Sequence, residues 1–392
     1  MADALNVLTA LAPTVVTKFI PILHESNAFL GEVNTNFEAS NGGDAFADTG
    51  TTIQIAVSAP VAVTDITPSS INPNLVSLTP TKVPLTLSNF KSARFSITSK
   101  DLDAIDRGSD FQNVEMQEAM RALSYQINSD VSKNYKSYFG LVGTPGTTPF
   151  ASTHLLLNNL RQTLNDQFAP PELRRVCILD SAAETNLLGV PNISQALQRG
   201  NANALTNADL GMLAGFNMKR DSNVPYHTAG TITTGLIAKA STVQAIGTTA
   251  IVCTTAASSG ACALVVGDIL LFAGDTQTYV VTAAATQASA STDVTVNVYP
   301  PKKVALAGSE AVTVKASRRA NQAFNSQAAT LAMRFPRNPV LAGNVTVPIR
   351  DPISGMPFML STMGGYWSGN IEIACLYGTC VQRPECGAVL AG

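Results

Sequence analysis

Two alternating runs separated by a proline-rich, nearly uncharged stretch constrain this chain more than any other feature. Ile53, Ile55 and Val57 alternate with Gln54, Ala56 and Ser58; a second alternation runs Val83, Leu85, Leu87 and resumes at Ala93, Phe95, Ile97. Period-two alternation is the signature of a strand with one apolar face. Between the runs lie Pro60, Pro68, Pro73 and Pro80, with Asn72 and Asn74 near the middle, and from Thr51 to Phe90 the only charges are Asp65 and Lys82. Two extended arms of about 20 residues reach roughly 65 Å at strand rise. A hairpin that long is expected to have no room for its apolar face inside its own domain, and so to lie on another subunit. Ile53, Ile55, Val57, Val83, Leu85 and Leu87 are therefore candidate subunit contacts.

Composition points the same way. Of 392 residues, 45% are hydrophobic but only 13% are charged, with 25 basic and 27 acidic side chains. An average soluble chain carries about 25% charged residues. Disorder needs low hydrophobicity and high net charge, neither of which holds here. No basic stripe exists to neutralise phosphates, which excludes a dedicated nucleic-acid binder. Much of the surface is expected to meet other protein. No apolar run reaches the 18 residues of a membrane span. Asp3, with no early Lys or Arg, argues against a signal peptide. Six cysteines (Cys177, Cys253, Cys262, Cys375, Cys380, Cys386) are too few for a disulfide scaffold and fit synthesis in a reducing cytosol.

Along the chain, Leu5, Leu8, Ala12, Val15, Phe19 and Leu23 recur at helical steps interrupted by Pro13 and Pro21, predicting a jointed N-terminal arm. Leu5, Leu8 and Phe19 join the candidate contacts; a helix packed on its own domain is the plain alternative. Residues 110–139 form the clearest helix, with Ser109 and Gln112 or Asp110 as cap, Lys133 and Lys136 in the last turns and Gly140 as stop. It would span roughly 45 Å. A helix from Phe150 to Phe168 opening at Pro149, a buried strand Val176–Leu179 and a helix capped by Ser181 and Glu184 give an α/β texture. At Thr228 the composition changes: to Pro300 only Lys239, Asp268, Asp275 and Asp293 are charged. Strand runs at Ala250–Thr254, Ile269–Phe272, Thr278–Thr282 and Val294–Tyr299 predict a small barrel or sandwich inserted into the α/β domain, with Lys302 and Lys303 at its trailing edge. A strand near Thr330–Arg334 and a strand-rich segment Val345–Val381 follow.

The search for chemistry yields little. His24, His154 and His227 have no carboxylate or Cys at ligand spacing, and His24-Glu25 lacks a second His. Asp101, Asp103 and Asp106 sketch a calcium loop, but Ile105 holds the fifth position, which favours a surface turn. No GxSxG, Walker or GxGxxG motif is present. Gly364-Gly365-Tyr366-Trp367 offers a sugar-binding patch or, more simply, a packed turn. Cys380 and Cys386 match no zinc spacing, and Cys177 and Cys375 read as core residues. If Ala256–Ser259 is a hairpin loop, Cys253 and Cys262 face each other; two reduced strand cysteines are the favoured reading. No enzyme, cofactor or metal site is expected.

Leu376-Tyr377-Gly378, then Arg383-Pro384-Glu385 and Gly387, resembles the ending of tailed-bacteriophage major capsid proteins, in the branch of short-tailed phage coat proteins with an inserted β-barrel. Gly267-Asp268-Ile269 through Phe272-Ala273-Gly274 is similar to a strand of that inserted domain, and the order of elements agrees along nearly the whole chain. The chain departs in a shorter insertion and an uncharged extended loop. The resemblance implies an α+β tailed-phage capsid fold. Its parts are an N-terminal arm (1–45), an extended loop (46–98), and a peripheral domain with a spine helix (99–145 and 345–392). An axial α/β domain (146–227 and 316–344) and an inserted β-barrel (228–315) complete it. It implies a coat protein that assembles as hexamers and pentamers into an icosahedral head, located in the virion and, during assembly, in the host cytoplasm. The implied partners are further copies of itself, a scaffolding protein, a portal and non-specifically held double-stranded DNA, with no membrane. A β-rich fibre or adhesin binding glycans through Trp367 is the alternative, against which the spine helix speaks; a hydrolase with unrecognised residues ranks below both.

Overall fold

A computed structural model describes residues 27–35, 52–57, 65, 81–98, 108–195, 206–231, 235–239, 244–255, 262–287, 292–336, 345–350, 356–365 and 368–392. Leu5, Leu8, Phe19, Asp101, Asp103, Asp106 and Trp367 lie outside the described residues. The chain divides into two compact units. One holds residues of 35–104 and 330–382, the other residues of 17–34, 105–329 and 383–392.

In the first unit, Thr52–Val57 and Thr81–Thr86 pair antiparallel, with Ile53 opposite Leu85 and Ile55 opposite Val83. A five-stranded sheet is ordered Ala329–Arg334, Ser368–Val381, Pro357–Gly365, Val345–Arg350, and Asn89–Thr98 also pairs with Ser368–Val381. The 14-residue strand packs on both faces along its C-terminal part. Ile373, Cys375 and Tyr377 are fully buried on one face, while Leu376 and Cys380 on the other pack against Ile53, Leu85, Leu87 and Ala332. The hairpin's root is thus buried in its own unit, contrary to the expectation that none of its apolar face could be. Ile53, Leu85 and Leu87 are 4%, 0% and 4% exposed; Ile55, Val57 and Val83, toward the open end, are half-buried. Gly378 permits this approach, since a Cβ there would sit 2.2 Å from the Thr86 carbonyl oxygen.

In the second unit an α-helix, Gly108–Ser132, tightens into a 3₁₀ turn, Lys133–Ser137. The single α-helix expected to reach residue 139 therefore ends earlier, and Gly140 opens a strand instead of a cap. The change comes where Gln322 donates to the Ser132 carbonyl at 2.6 Å from the neighbouring sheet. That sheet has seven strands. Six run in the order Gly140–Val142, Gly387–Ala391, Arg318–Asn325, Arg175–Leu179, Phe216–Arg220, Met212–Leu213; Tyr226–His227 pairs with Arg318–Asn325. Parallel and antiparallel pairs mix.

The expected Phe150–Phe168 helix is shorter, Leu155–Asp166. Thr153, not Pro149, starts it by accepting the Leu155 N–H at 3.2 Å, and Phe150 and Phe168 adopt positive φ. The helix Ser181–Gly189 is capped one residue earlier than expected, by Asp180, whose carboxylate accepts from the Ala183 N–H.

The segment after Thr228 forms a six-stranded antiparallel sheet ordered Val312–Val314, Ile269–Phe272, Thr278–Val281, Asp293–Tyr299, Ala250–Thr255, Leu236–Ala238. Its two outer strands meet again. Ile237 bridges Ala311, and Ala238 exchanges backbone bonds with Glu310 and Ser309. Leu270, Phe272, Tyr279, Val281, Val296 and Val298 fill the interior. Lys302 does not mark an edge: it is 1% exposed. Cys253 and Cys262 do not face each other either. Cys253 pairs with Val294 and Ala238, whereas Cys262 pairs with Gln287 in a separate two-stranded ladder. Both are free thiols.

Candidate functional site

The chain runs into and out of the six-stranded sheet side by side. Tyr226–His227 pairs with Arg319 and Arg318, and the Ala229 N–H donates to the Ser317 hydroxyl at 2.9 Å. Around this junction the polar side chains that local spacing leaves unconnected come together. The Tyr135 hydroxyl, in the 3₁₀ turn, lies 3.0 Å from His227 Nδ1, with the two rings edge to face. His227 Nε2 lies 2.9 Å from Asp268 Oδ1. A carboxylate only accepts, so His227 Nε2 donates to Asp268, and the direction of the Tyr135–Nδ1 bond follows the form of the ring. Asp268 also accepts from the Val265 N–H at 2.8 Å and the Gly230 N–H at 3.2 Å.

Arg318 is fully buried and donates to the carbonyls of Gly267 and Ala316. Burial pushes its guanidinium below the usual range, while Asp268 and Tyr135 pull it back up. Burial pushes Tyr135 up to about 12; Arg318 opposes this shift and Asp268 adds to it. Gly267 adopts φ +97°, and a side chain there would press on Lys136 at 3.1–3.2 Å.

A Tyr–His–Asp array has the order of a proton relay, but this one is sealed. Tyr135, His227 and Asp268 are 4%, 3% and 0% exposed, so no substrate reaches them. What the array can do is hold. It fastens the six-stranded sheet to the helix and the seven-stranded sheet, helped by Thr278, whose hydroxyl donates to the Phe139 carbonyl at 2.6 Å. Phe139 meets Tyr299 ring to ring at 5.6 Å, and the Tyr299 hydroxyl donates to Glu385.

Within the six-stranded sheet a second polar cluster is closed off. Lys302 Nζ lies 2.8 Å from Asp275 Oδ2 and over the rings of Phe272 and Tyr279, at 4.0 and 4.4 Å. The Tyr279 hydroxyl donates to the same carboxylate oxygen at 2.6 Å. Elsewhere, a cavity of about 540 Å³ takes His154 and Asp209 into its lining but, among the described residues, no Ser, Cys or Lys nucleophile. Among the described residues no group of three His, Cys, Asp or Glu side chains could hold a metal ion, and no helix is long and apolar enough to cross a membrane.

Of the candidate subunit contacts, the structure brings Ile53, Ile55 and Val57 onto one face with Val83 and Leu85. No sequence signal pointed to Tyr135, His227 and Asp268 as a group, because they are 92 and 41 residues apart.

No protein-family model and no curated protein matches the chain. Solved structures do. One from Mycobacterium phage Che8 is 14% identical and matches over 93% of this chain and 91% of its own, with a TM-score of 0.52. The capsid structure of the Cyanophage P-SCSP1u is 12% identical over 88% of this chain and 84% of that one, with a TM-score of 0.49. The capsid of Ralstonia phage GP4 is 8% identical over 88% and 84%, with a TM-score of 0.46. The likeness to the Che8 structure spans nearly the whole of both chains and shows a shared fold.

Proposed function

We propose that this chain is the major capsid protein of a tailed bacteriophage, a subunit that assembles as hexamers and pentamers into an icosahedral head enclosing DNA. The observation that carries the reading is the fold shared with the Mycobacterium phage Che8 structure along 93% of the chain. The hairpin supports it. Its root is anchored by Ile53 and Leu85, while Ile55, Val57 and Val83 keep apolar surface toward its open end, and among the described residues the two strands pair only with each other. Unpaired edges and apolar faces are surfaces that another chain can cover.

The finer assignments belong to the same proposal. Residues 228–315 are an inserted barrel domain, supported by its closing bridge and by the paired strands at which the chain enters and leaves it. The Gly108–Ser132 helix is the spine. Residues 1–45 form an arm, and Leu5, Leu8, Phe19, Ile55, Val57 and Val83 contact neighbouring subunits. A scaffolding protein, a portal and packaged DNA are the further partners, and the virion is its place, after assembly in the host cytoplasm. Negative-stain microscopy of the purified chain tests the reading: closed shells or capsomer rings are expected, and a population of monomers under all assembly conditions would overturn it.

A further inference from the structure

Three arginines line a surface cavity at the edge of the seven-stranded sheet. The cavity, about 460 Å³, takes Arg161 and Asn165 from the Leu155–Asp166 helix, Arg174 and Arg175 from the start of the adjoining strand, and Gly215 from the turn before Phe216. Arg161 and Asn165 are four residues apart on the helix and so share a face. Arg174 is engaged by Glu32 at 2.8 Å, and Lys219 holds the same carboxylate oxygen at 2.6 Å. Glu32 thus serves two cations already, and Glu172 is the one carboxylate in the cavity lining. Arg161 has no ion-pair partner among the described residues.

Arg175 is the unusual member. It is 7% exposed; its Nη2 donates to the Ala169 carbonyl at 3.0 Å, but its buried Nε has no acceptor. Burial first, and the nearby Arg161 charge second, push its guanidinium below the usual range. Two like charges placed within reach of each other are unfavourable unless something serves both. Native structures pair nearly all their buried donors, so the unmatched Arg175 nitrogen beside this cavity calls for an explanation.

We propose that this cavity binds a phosphate group, with Arg161 and Arg175 as its principal donors and Asn165 beside them. Guanidinium forks match phosphate oxygens bidentately. The donors approach from a helix and from a strand, and a tetrahedral anion accepts from such divergent directions better than a planar carboxylate does. The group comes either from free inorganic phosphate or from a phosphodiester backbone. Two arginine contacts per chain would give a salt slope of only about −2, in keeping with a net charge of −2 on the whole chain. The proposal does not depend on the shell-subunit reading.

The test uses the full chain. Inorganic phosphate is titrated by calorimetry and a short fluorescent DNA duplex by anisotropy, against wild type, Arg161→Gln and Arg161→Glu. Arg161 is exposed, and circular dichroism checks that both variants fold. Binding is expected to weaken several-fold in Arg161→Gln and at least about ten-fold in Arg161→Glu. Phosphate binding without duplex binding assigns the free anion. Duplex binding whose salt slope falls by about one in Arg161→Gln assigns the backbone. No binding of either probe, or equal binding by all three proteins, overturns the proposal, and shells that still assemble in that case leave the capsid reading standing.

Discussion

His227 Nε2 stands 2.9 Å from Asp268 Oδ1 with both side chains closed to solvent. The two residues lie on different sheets of the second unit. Asp268 sits in the turn that starts the Ile269–Phe272 strand, and His227 is in the strand that pairs with Arg318. The bond therefore ties one sheet to the other, and Tyr135 extends it to the helix. Replacing Asp268 with Ala leaves His227 and the amides of Gly230 and Val265 without their acceptor in a buried place. Leaving a buried donor without its acceptor costs about 1–3 kcal/mol. Tyr135→Phe removes one hydrogen bond and costs about 1 kcal/mol. Because both act through His227, the double variant is expected to lose less than the sum. Urea unfolding of the four proteins measures this, and strict additivity would show that the array is not a unit.

The hairpin separates folding from assembly. Leu85 is fully buried against Ala332 and its neighbours, so Leu85→Ala is expected to cost about 2–5 kcal/mol. Val57, half-buried near the open end, is different. Val57→Ser should change stability by less than about 0.5–1 kcal/mol yet lower the yield of closed particles. Thermal melts and particle counts on the same preparations decide. A destabilised Val57→Ser chain, or one that assembles normally, removes Val57 from the contact surface.

Burial pushes the thiols of Cys177, Cys253 and Cys375 up to about 12. The thiolate is the reactive form, so these three should resist a thiol reagent at pH 8 in the folded chain. In denaturant all six should react at once, since all six are free. Cys253 and Cys262 sit on different ladders, so peptide maps of aged protein should show both unpaired. A Cys253–Cys262 disulfide in the native material would overturn the reading of both as free core thiols.

Local signals were legible where the structure is local. The apolar runs at Ala250–Thr254, Ile269–Phe272, Thr278–Thr282 and Val294–Tyr299 became strands within a residue or two, because period and punctuation depend on neighbours in sequence. The alternation of Ile53, Ile55 and Val57 gave the right face, but not what covers its root, since Leu376 and Cys380 come from more than 300 residues away. In the sequence Asp268 reads as part of a Gly-Asp-Ile strand motif and His227 as an isolated histidine. Their partnership depends on tertiary closure that no spacing rule encodes. Lys302 misled for the same reason: a lysine beside Pro301 and Lys303 reads as surface, and only the Asp275–Tyr279 pair across the sheet makes its burial tolerable.

That pair carries the last prediction. Burial pushes the Asp275 carboxyl up, but Lys302, the Tyr279 hydroxyl and the Gln277 N–H together outweigh it and hold the group below its ordinary 3.8. A carboxyl depressed in the folded state binds its proton more readily when unfolded. Its contribution is therefore complete above the unfolded value near 4, and it is lost as pH falls through the lower folded value. The urea midpoint of the wild-type chain should accordingly fall between pH 5 and pH 2.5, in part because of this one group. In Asp275→Asn the buried ammonium of Lys302 loses its counter-charge, so stability at pH 7 should drop by about 3 kcal/mol or more. The same variant has no carboxyl to protonate at this position, so its decline below pH 4 should be shallower than that of wild type. Parallel acid limbs for the two proteins would mean that Asp275 and Lys302 do not form the pair seen inside the six-stranded sheet.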